Sequence, residues 1–128
     1  MTQEYKELLL KDLCARLPYG VKINESIHGV FTVIGLTTER VFTTCETEGC
    51  HNDFPIECIK PYLFPLSSMT EEEQRTLDSM CNGVEMVSRL SGLKMFGKAF
   101  NWLKENHFDY RGLIEKGLAI DATGLNIY

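Results

Sequence analysis

The sequence predicts one α+β domain with a β-rich first half and a helical second half. Residues 5–17 carry an apolar stripe at helical spacing and are followed by Pro18 and Gly20, residue types that end helices. Short runs of β-branched and aromatic residues follow between 21 and 60. A helix-start signal stands at Thr70. We therefore expect an N-terminal helix, a small antiparallel four-stranded sheet or SH3-like open barrel, and a helical C-terminal half.

The length and charge of the chain limit its class. A chain of 128 residues suits a single domain over 1–128, which we divide into a helix and β-rich half (5–60), a connector (61–69) and a helical half with a packed tail (70–128). The net charge of −5 gives no general attraction to nucleic acid or anionic membranes. No apolar run approaches the length of a membrane span, and the start of the chain is too charged for a signal peptide. We expect a cytoplasmic protein without a membrane partner.

Four strands are expected within 21–60, at about 21–23, 30–36, 40–45 and 54–59. Gly35 interrupts the second of these, which predicts a bulge or a close approach of another backbone. Pro55 lies near the start of the fourth, where a missing N–H is tolerated. A strongly bent sheet and a simple meander with helices on one side both fit this spacing.

Helices are expected after the connector. Thr70 and Glu73 have the spacing of a capping box and begin a helix that runs to about Cys81. A short helix at 84–91 and a longer one at 93–106 follow. In the longer helix, we interpret the aromatic residues as core, because aromatic side chains often dominate cores. These are Phe96, Phe100 and Trp102. The tail predicts a short helix near 113–116 and an extended end that packs on the body.

The two halves meet at residues 59–73, which we call the joint. A dense apolar run there is flanked by Pro61 and Pro65. It is expected to bury at least two of Tyr62, Leu63 and Phe64 between the halves. The acids at its end are explained by helix capping, since carboxylates are favoured in the first turn of a helix.

The chain has five cysteines, an odd number, which in a reducing compartment predicts free thiols. Four zinc-ligand types nevertheless cluster in the β-rich half, with the spacing C-x4-C-H-x6-C: Cys45, Cys50, His51 and Cys58. Zinc sites usually have closer pairs of ligands, and neighbouring residues of a strand point in opposite directions. A metal- or thiol-dependent enzyme is therefore the least favoured hypothesis, and we predict no cofactor.

Other catalytic patterns are weak. Phosphate-binding glycine motifs do not occur in the sequence. The three histidines, His28, His51 and His107, are interpreted as surface residues in turns, loops or helix ends. An enzyme is thus less favoured than a binding protein.

Basic residues collect in the second half. Residues 89–116 contain six Lys or Arg against three acids, and Arg89, Lys94 and Lys98 could contact phosphates. Most such stripes are solvated helix faces, so a nucleic-acid-associated regulator remains an alternative and is not favoured.

Three separated blocks carry a resemblance that spans essentially the whole chain. They are Leu8–Val21 (LLLKDLCARLPYGV), Ile59–Thr70 (IKPYLFPLSSMT) and His107–Ala119, which begins HFDYRGLI and ends GLA. In this order they resemble a family of short uncharacterised proteins encoded by bacteriophages and mobile elements of anaerobic gut bacteria. The resemblance implies an intracellular, phage-associated origin in a bacterial host cell. It carries over no catalytic or ligand-binding residues.

The leading functional hypothesis is a non-enzymatic accessory or interaction module that binds a protein. Its partner surface is expected at the joint and the tail, where residue types enriched at interfaces occur. These are Tyr62, Phe64, Trp102, Tyr110 and Arg111. The simpler interpretation, which we favour for these side chains, is that they only hold the two halves together. The sequence leaves the oligomeric state open.

Overall fold

The computed structural model describes residues 1–45, 51–81 and 89–128, with the backbone alone for 89–93. The fold is α+β and begins with a helix, as predicted. Three α-helices and seven strands are described, in the following order: α1 (Gln3–Arg16), β1 (Lys22–Glu25), β2 (Gly29–Leu36), β3 (Arg40–Thr44), β4 (His51–Pro55), β5 (Ile59–Pro65), α2 (Glu71–Cys81), α3 (Arg89–Glu105), β6 (Phe108–Asp109) and β7 (Ile120–Asp121).

Helix α1 begins and ends as its sequence dictates. The Thr2 hydroxyl accepts a hydrogen bond from the Tyr5 N–H and caps the first turn. A 3-10 turn over Leu17–Tyr19 follows the helix and contains Pro18. Gly20 then has a φ of 68°, which suits glycine because it has no Cβ to clash. This exit delivers the chain into β1.

Strands β1 to β4 form an antiparallel meander, and β5 returns to pair with β1, which gives the order β4-β3-β2-β1-β5. The pairing of β2 with β3 shifts register between Val33 and Gly35. The predicted bulge at Gly35 is therefore confirmed. A 3-10 turn at Ile56–Cys58 separates β4 from β5, so the segment 54–59, expected as a single strand, contains the end of β4, this turn and the first residue of β5.

The prediction of a four-stranded, purely antiparallel sheet is wrong. The sheet has seven strands, because β5 also pairs in parallel with the short strands β6 and β7 of the tail. The Phe64 N–H donates to the His107 carbonyl, and the Ala122 N–H donates to the Leu63 carbonyl. These groups of β5 belong to one peptide unit and point in opposite directions, so β6 and β7 lie on opposite edges of β5.

One apolar core joins α1, the sheet and the tail. Leu9 and Leu13 of α1 pack with strand residues and with Leu113, Leu118 and Ala119 of the tail. The prediction for the joint is confirmed in that Tyr62 and Leu63 are buried, with exposures of 7% and 0%. The first part of the joint is strand β5, which includes both prolines, and a 3-10 turn at Leu66–Ser68 and the start of α2 follow it.

The C-terminal half is less helical than predicted. The short helix expected at 84–91 lies largely outside the described residues. Residues 113–116 form turns instead of a helix, because the Asp109 carboxylate accepts hydrogen bonds from the N–H groups of Leu113 and Ile114 and fixes a tight loop.

Helices α2 and α3 bury few of the side chains that the structure describes for them. Helix α2 packs against α3, and of its residues, all of which the structure describes, none is buried. Among the side chains of α3 that the structure describes, from Lys94 onward, Ala99 and Leu103 are buried, while Phe96 and Phe100 are nearly half exposed. The interpretation of those two phenylalanines as core is therefore wrong. In the described part of the chain, no helix is both long and apolar enough to cross a membrane.

Candidate functional site

A cavity of about 520 Å³ lies where the joint meets the tail. We call it the joint–tail cleft. Its walls come from the end of β5, the start of α2, the end of α3 and the last residues of the tail. The lining residues are Phe64, Ser68, Glu73, Glu105, Asn106, His107, Phe108, Thr123, Gly124 and Tyr128. Segments far apart in sequence are thus brought together around one cavity.

His107 is placed in the wall of the cleft by the end of α3. The N–H and the side-chain amide of Asn106 both donate to the Trp102 carbonyl, and the His107 N–H donates to the Lys104 carbonyl. His107 has a φ of 62°, a left-handed conformation that glycine usually adopts after a helix. Such a conformation costs of order 1 kcal/mol or more for a residue with a Cβ. Its carbonyl then accepts the Phe64 N–H, which fixes it against β5.

The His107 ring is neutral at physiological pH. Burial, with the positive charges of Arg16 and Lys22, lowers the pKa of His107 from 6.5 to about 4. The residue is only 9% exposed, which corrects the prediction of a surface histidine. Its Nδ1 is buried and has no hydrogen-bond partner among the described residues.

Tyr128 covers one face of the His107 ring. The two rings stack with their centroids 3.5 Å apart and an angle of 9° between their planes. The Tyr128 hydroxyl accepts a hydrogen bond from the Lys22 N–H and donates one to the Tyr62 carbonyl. Burial raises the pKa of Tyr128 to about 12, so the hydroxyl keeps its proton at neutral pH. The tail is thereby tied to β1 and β5 at the cleft.

Three further aromatic rings complete one side of the cleft. The Phe64 ring lies 6.2 Å from that of Phe108 and 6.1 Å from that of Tyr128, tilted by 57° and 53°. Behind Phe108, the Trp102 ring stacks at 5.6 Å. Because the Phe64 ring is tilted to those of Phe108 and Tyr128 rather than stacked on them, these three rings form an apolar corner.

Two carboxylates lie on the helical side of the cleft. Glu73 belongs to the capping box of α2: its Oε1 accepts the Thr70 N–H, and its own N–H donates to the Thr70 hydroxyl. Glu105 ends α3 and is exposed. The predicted capping role of Glu73 is confirmed, and the same residue also lines the cavity.

A buried ionic cluster lies beneath the tail. Asp12 and Arg16 of α1 are fully buried and form a 2.8 Å ion pair, and Arg16 Nη2 also donates to the Phe108 carbonyl. Arg111 Nε lies 3.3 Å from Asp12 Oδ1, within ion-pair range but without the alignment of a hydrogen bond. Burial raises the pKa of Asp12, against the lowering effect of both guanidinium groups. The cluster fixes Phe108 and thereby one wall of the cleft.

The residues predicted as a partner surface fall into two groups. Phe64 lines the cleft, and Trp102 stacks on Phe108, which also lines it. Tyr62 is buried, and its hydroxyl accepts a hydrogen bond from the Asn24 side-chain amide. Tyr110 and Arg111 lie with the ionic cluster, where the Arg16 and Arg111 guanidinium carbons are 5.1 and 5.3 Å from the centre of the Tyr110 ring. The five side chains do not form one continuous surface around the cavity.

The candidate metal ligands have diverse environments. Cys45 is disulfide-bonded, which corrects the prediction of five free thiols and removes a thiolate from the candidate set. His51 is exposed on β4 and Cys58 is an exposed free thiol in a 3-10 turn. Cys50 lies outside the described residues. Within residues 1–45, 51–81 and 89–128, no three His, Cys, Asp or Glu are grouped to hold a metal ion.

Lys94 and Lys98, the candidate phosphate contacts, are exposed on α3, and the side chain of Arg89 lies outside the described residues. Sequence reasoning missed His107, Tyr128 and Glu105. A histidine directly after Asn106, at a helix end without glycine, was the one local signal for a constrained position.

Comparison with known proteins adds no relative to this description, since no protein-family model, curated protein or solved structure matches the chain.

Proposed function

We propose that the protein is a non-enzymatic interaction module that binds a partner protein at the joint–tail cleft. The observation that carries the proposal is the aromatic corner of Phe64, Phe108 and Tyr128 in a cavity large enough for a side chain. Concave apolar sites with a few polar groups are typical of binding sites. Aromatic side chains are also enriched among the residues that contribute most to interface affinity.

The chemistry of the cleft favours binding over catalysis. A general base works best when its pKa lies near the operating pH, and that of His107 is about 4. The ring is also stacked on Tyr128 at 3.5 Å, which restricts its movement toward a substrate. These properties support the interpretation that His107 forms part of the wall of a binding site and does not transfer protons.

The proposal also covers the detailed architecture of the β-sheet and the biological origin of the protein. We infer that β1–β5 form an SH3-like open barrel, supported by the order β4-β3-β2-β1-β5, the bulge in β2 and the 3-10 turn before β5. We also propose a phage- or mobile-element-encoded accessory protein of the bacterial cytoplasm, on the resemblance of the three sequence blocks. The disulfide at Cys45 is atypical of a reducing compartment, so fractionation of the source cells tests the cytoplasmic location.

The binding proposal is tested by co-purification from the source cells with a matched pair of variants. Phe64→Leu removes an aromatic wall at modest cost to packing, and Phe42→Leu alters an exposed phenylalanine on β3, outside the cleft lining. A partner that is captured by the wild type and the Phe42 variant, but lost from a folded Phe64 variant, supports the proposal. Equal capture by all three proteins contradicts it.

A nucleic-acid-associated regulator is the second candidate. The observation that favours it is on α3, where Lys94 and Lys98 are exposed and the partly exposed rings of Phe96 and Phe100 lie on the same helix. Lysines with aromatic side chains nearby can bind phosphates and stack bases. Binding of single-stranded DNA that weakens steeply with salt, and is reduced in Lys94→Gln/Lys98→Gln, supports this function. Absence of binding at low salt rules it out.

A further inference from the structure

The charges of the joint–tail cleft are distributed unevenly. Glu73 and Glu105 lie on its helical side, and the described lining includes no Lys or Arg. The positive charges that act on His107 come from Arg16 of α1 and Lys22 of β1, neither of which lines the cleft. Arg16 is moreover paired with Asp12 at 2.8 Å. The helical side of the cleft is therefore the side that attracts a cation.

The aromatic corner supplies a second attraction of the same sign. The face of an aromatic ring is negative, so cations bind over it. Phe64, Phe108 and Tyr128 all line the cavity, and the Phe64 ring is tilted by more than 50° to the other two, so it stacks on neither. Trp102 stacks on one face of Phe108 and His107 on one face of Tyr128, so in each of these rings the stack occupies a single face. His107 adds a buried ring that is uncharged and does not repel a cation.

We propose that the joint–tail cleft binds an organic ammonium group carried on an alkyl chain, as in a lysine or methylated lysine side chain of the partner. The ammonium lies over the aromatic corner of Phe64, Phe108 and Tyr128. Glu73 and Glu105 provide the balancing negative charge. This inference rests on the proposed function, since it names the chemical group through which the partner is held.

The ligand class is tested with a charged probe and its neutral isostere. Choline and 3,3-dimethylbutan-1-ol differ in a nitrogen-for-carbon replacement, and either can be titrated into the full chain while amide shifts are followed by NMR. The only tryptophan, Trp102, stacks on Phe108 and provides a fluorescence signal beside the cleft. We expect choline to bind at least about fivefold more tightly, the size of a partly desolvated cation–π contact. Equal affinities would overturn the proposal.

A third probe tests whether the ammonium is carried on a side chain. N-acetyl-trimethyllysine amide presents the same headgroup on an alkyl chain, so we expect it to bind more tightly than choline. If choline binds as tightly, the side-chain part of the proposal is wrong.

The role of the carboxylates is tested by isosteric changes. Glu73→Gln/Glu105→Gln removes both charges, and glutamine also fits the capping box, so α2 keeps its start. Glu71→Gln/Glu72→Gln is the matched control, because these exposed acids precede Glu73 on the same helix but do not line the cleft. We expect choline affinity to fall about fivefold to tenfold in the first variant and less than twofold in the control. Equal effects in both would mean general electrostatics and would contradict the site.

Failure of this inference is distinguishable from failure of the proposed function. If a partner is lost with Phe64→Leu but kept by Glu73→Gln/Glu105→Gln, the cleft binds a protein without an ammonium group. If neither variant changes capture, the cleft is not the partner site.

Discussion

Arg16 is fully buried, a rare position for a guanidinium group. It is held by Asp12 one turn earlier, by the Phe108 carbonyl and by the face of Tyr110. Nη1 is buried without a hydrogen-bond partner among the described residues. The pair therefore has a high cost of desolvation, and each charge depends on the other.

Asp12→Ala should destabilise the protein by about 3–5 kcal/mol, because it leaves Arg16 as a buried charge without its counterion. The free energy of unfolding in urea measures this. Lys11→Ala, on the exposed side of the same helix, should change it by less than about 0.5 kcal/mol.

The double variant Asp12→Leu/Arg16→Met should recover most of the loss, since apolar side chains of similar size often replace a buried ion pair at little cost. A double variant as unstable as Asp12→Ala would show that the hydrogen bond from Arg16 to the Phe108 carbonyl matters more than the charge balance.

His107 should make the protein less stable in mild acid. Its pKa is about 4 in the folded chain and 6.5 when unfolded, so between these values the unfolded state binds more protons. The free energy of unfolding should therefore fall by about 2 kcal/mol from pH 7 to 4.5 through this residue. The contribution is complete above 6.5 and is lost as the pH falls toward 4.

The matched variant is His107→Asn, because asparagine tolerates the left-handed backbone and does not titrate. The variant will be less stable at neutral pH, but its loss of stability between pH 7 and 4.5 should be smaller by about 2 kcal/mol. Parallel pH profiles for the two proteins would exclude His107 as the source.

At the scale of elements, α2 depends on its cap more than on burial. None of its residues, all described, is buried, and Thr70 and Glu73 close a reciprocal capping box. Thr70→Ala should cost about 1 kcal/mol locally, which lowers amide exchange protection in α2 about fivefold. Exchange in β1–β5 should not change. As a control, Thr76→Ala in the same helix should leave amide exchange protection equal or higher, since alanine favours helices. Reduced protection in both variants would contradict a specific role of the cap.

The seam between β1 and β5, by which we mean the line along which these two strands pair, depends partly on a side chain. After the pair Ile23–Pro61, the Tyr128 hydroxyl connects the Lys22 N–H and the Tyr62 carbonyl in place of direct strand pairing. Tyr128→Phe keeps the stack on His107 but removes both hydrogen bonds, and should cost about 1–3 kcal/mol in urea unfolding. Tyr110→Phe, which leaves the seam intact, should cost clearly less. Equal losses would indicate a general effect of removing a hydroxyl.

Elements that depend on neighbouring residues were predictable from sequence, and those that depend on distant ones were not. The capping box, the end of α1 at Pro18 and the bulge at Gly35 follow from local backbone chemistry. Strands β6 and β7 are two residues long and exist only because β5 lies beside them. Their sequences contain no periodic pattern that could have predicted them.

The same distinction applies to the site. Phe64 was found because its residue type and its place in an apolar run both indicated a contact surface. His107 and Tyr128 were missed because their stacking depends on how the intervening residues 108–127, which include β6 and β7, fold the tail back. Glu73 was assigned only to capping, since its place in the cavity lining depends on the tail residues that lie across the cavity from α2.

For the molecule as a whole, residues 118–128 contribute three buried side chains to the interior. Leu118, Ala119 and Ala122 are buried, β7 pairs with β5, and Tyr128 closes the seam with β1. Deletion of 118–128 removes all of these contacts together, so the shortened chain should lose cooperative thermal unfolding, as followed by circular dichroism. A shortened chain that kept the melting temperature of the full chain would show that the tail only covers a domain that folds without it.

Because such a deletion can fail for trivial reasons, two point variants separate core packing from the presence of the tail. Leu118→Ala leaves a cavity in the core and should cost about 2–4 kcal/mol. Leu125→Ala, in the same segment but half exposed, should cost less than about 0.5 kcal/mol. Comparable small losses in both would mean that the tail lies on the body without contributing to its core. The large difference that we expect would make the tail, and with it one wall of the joint–tail cleft, inseparable from folding.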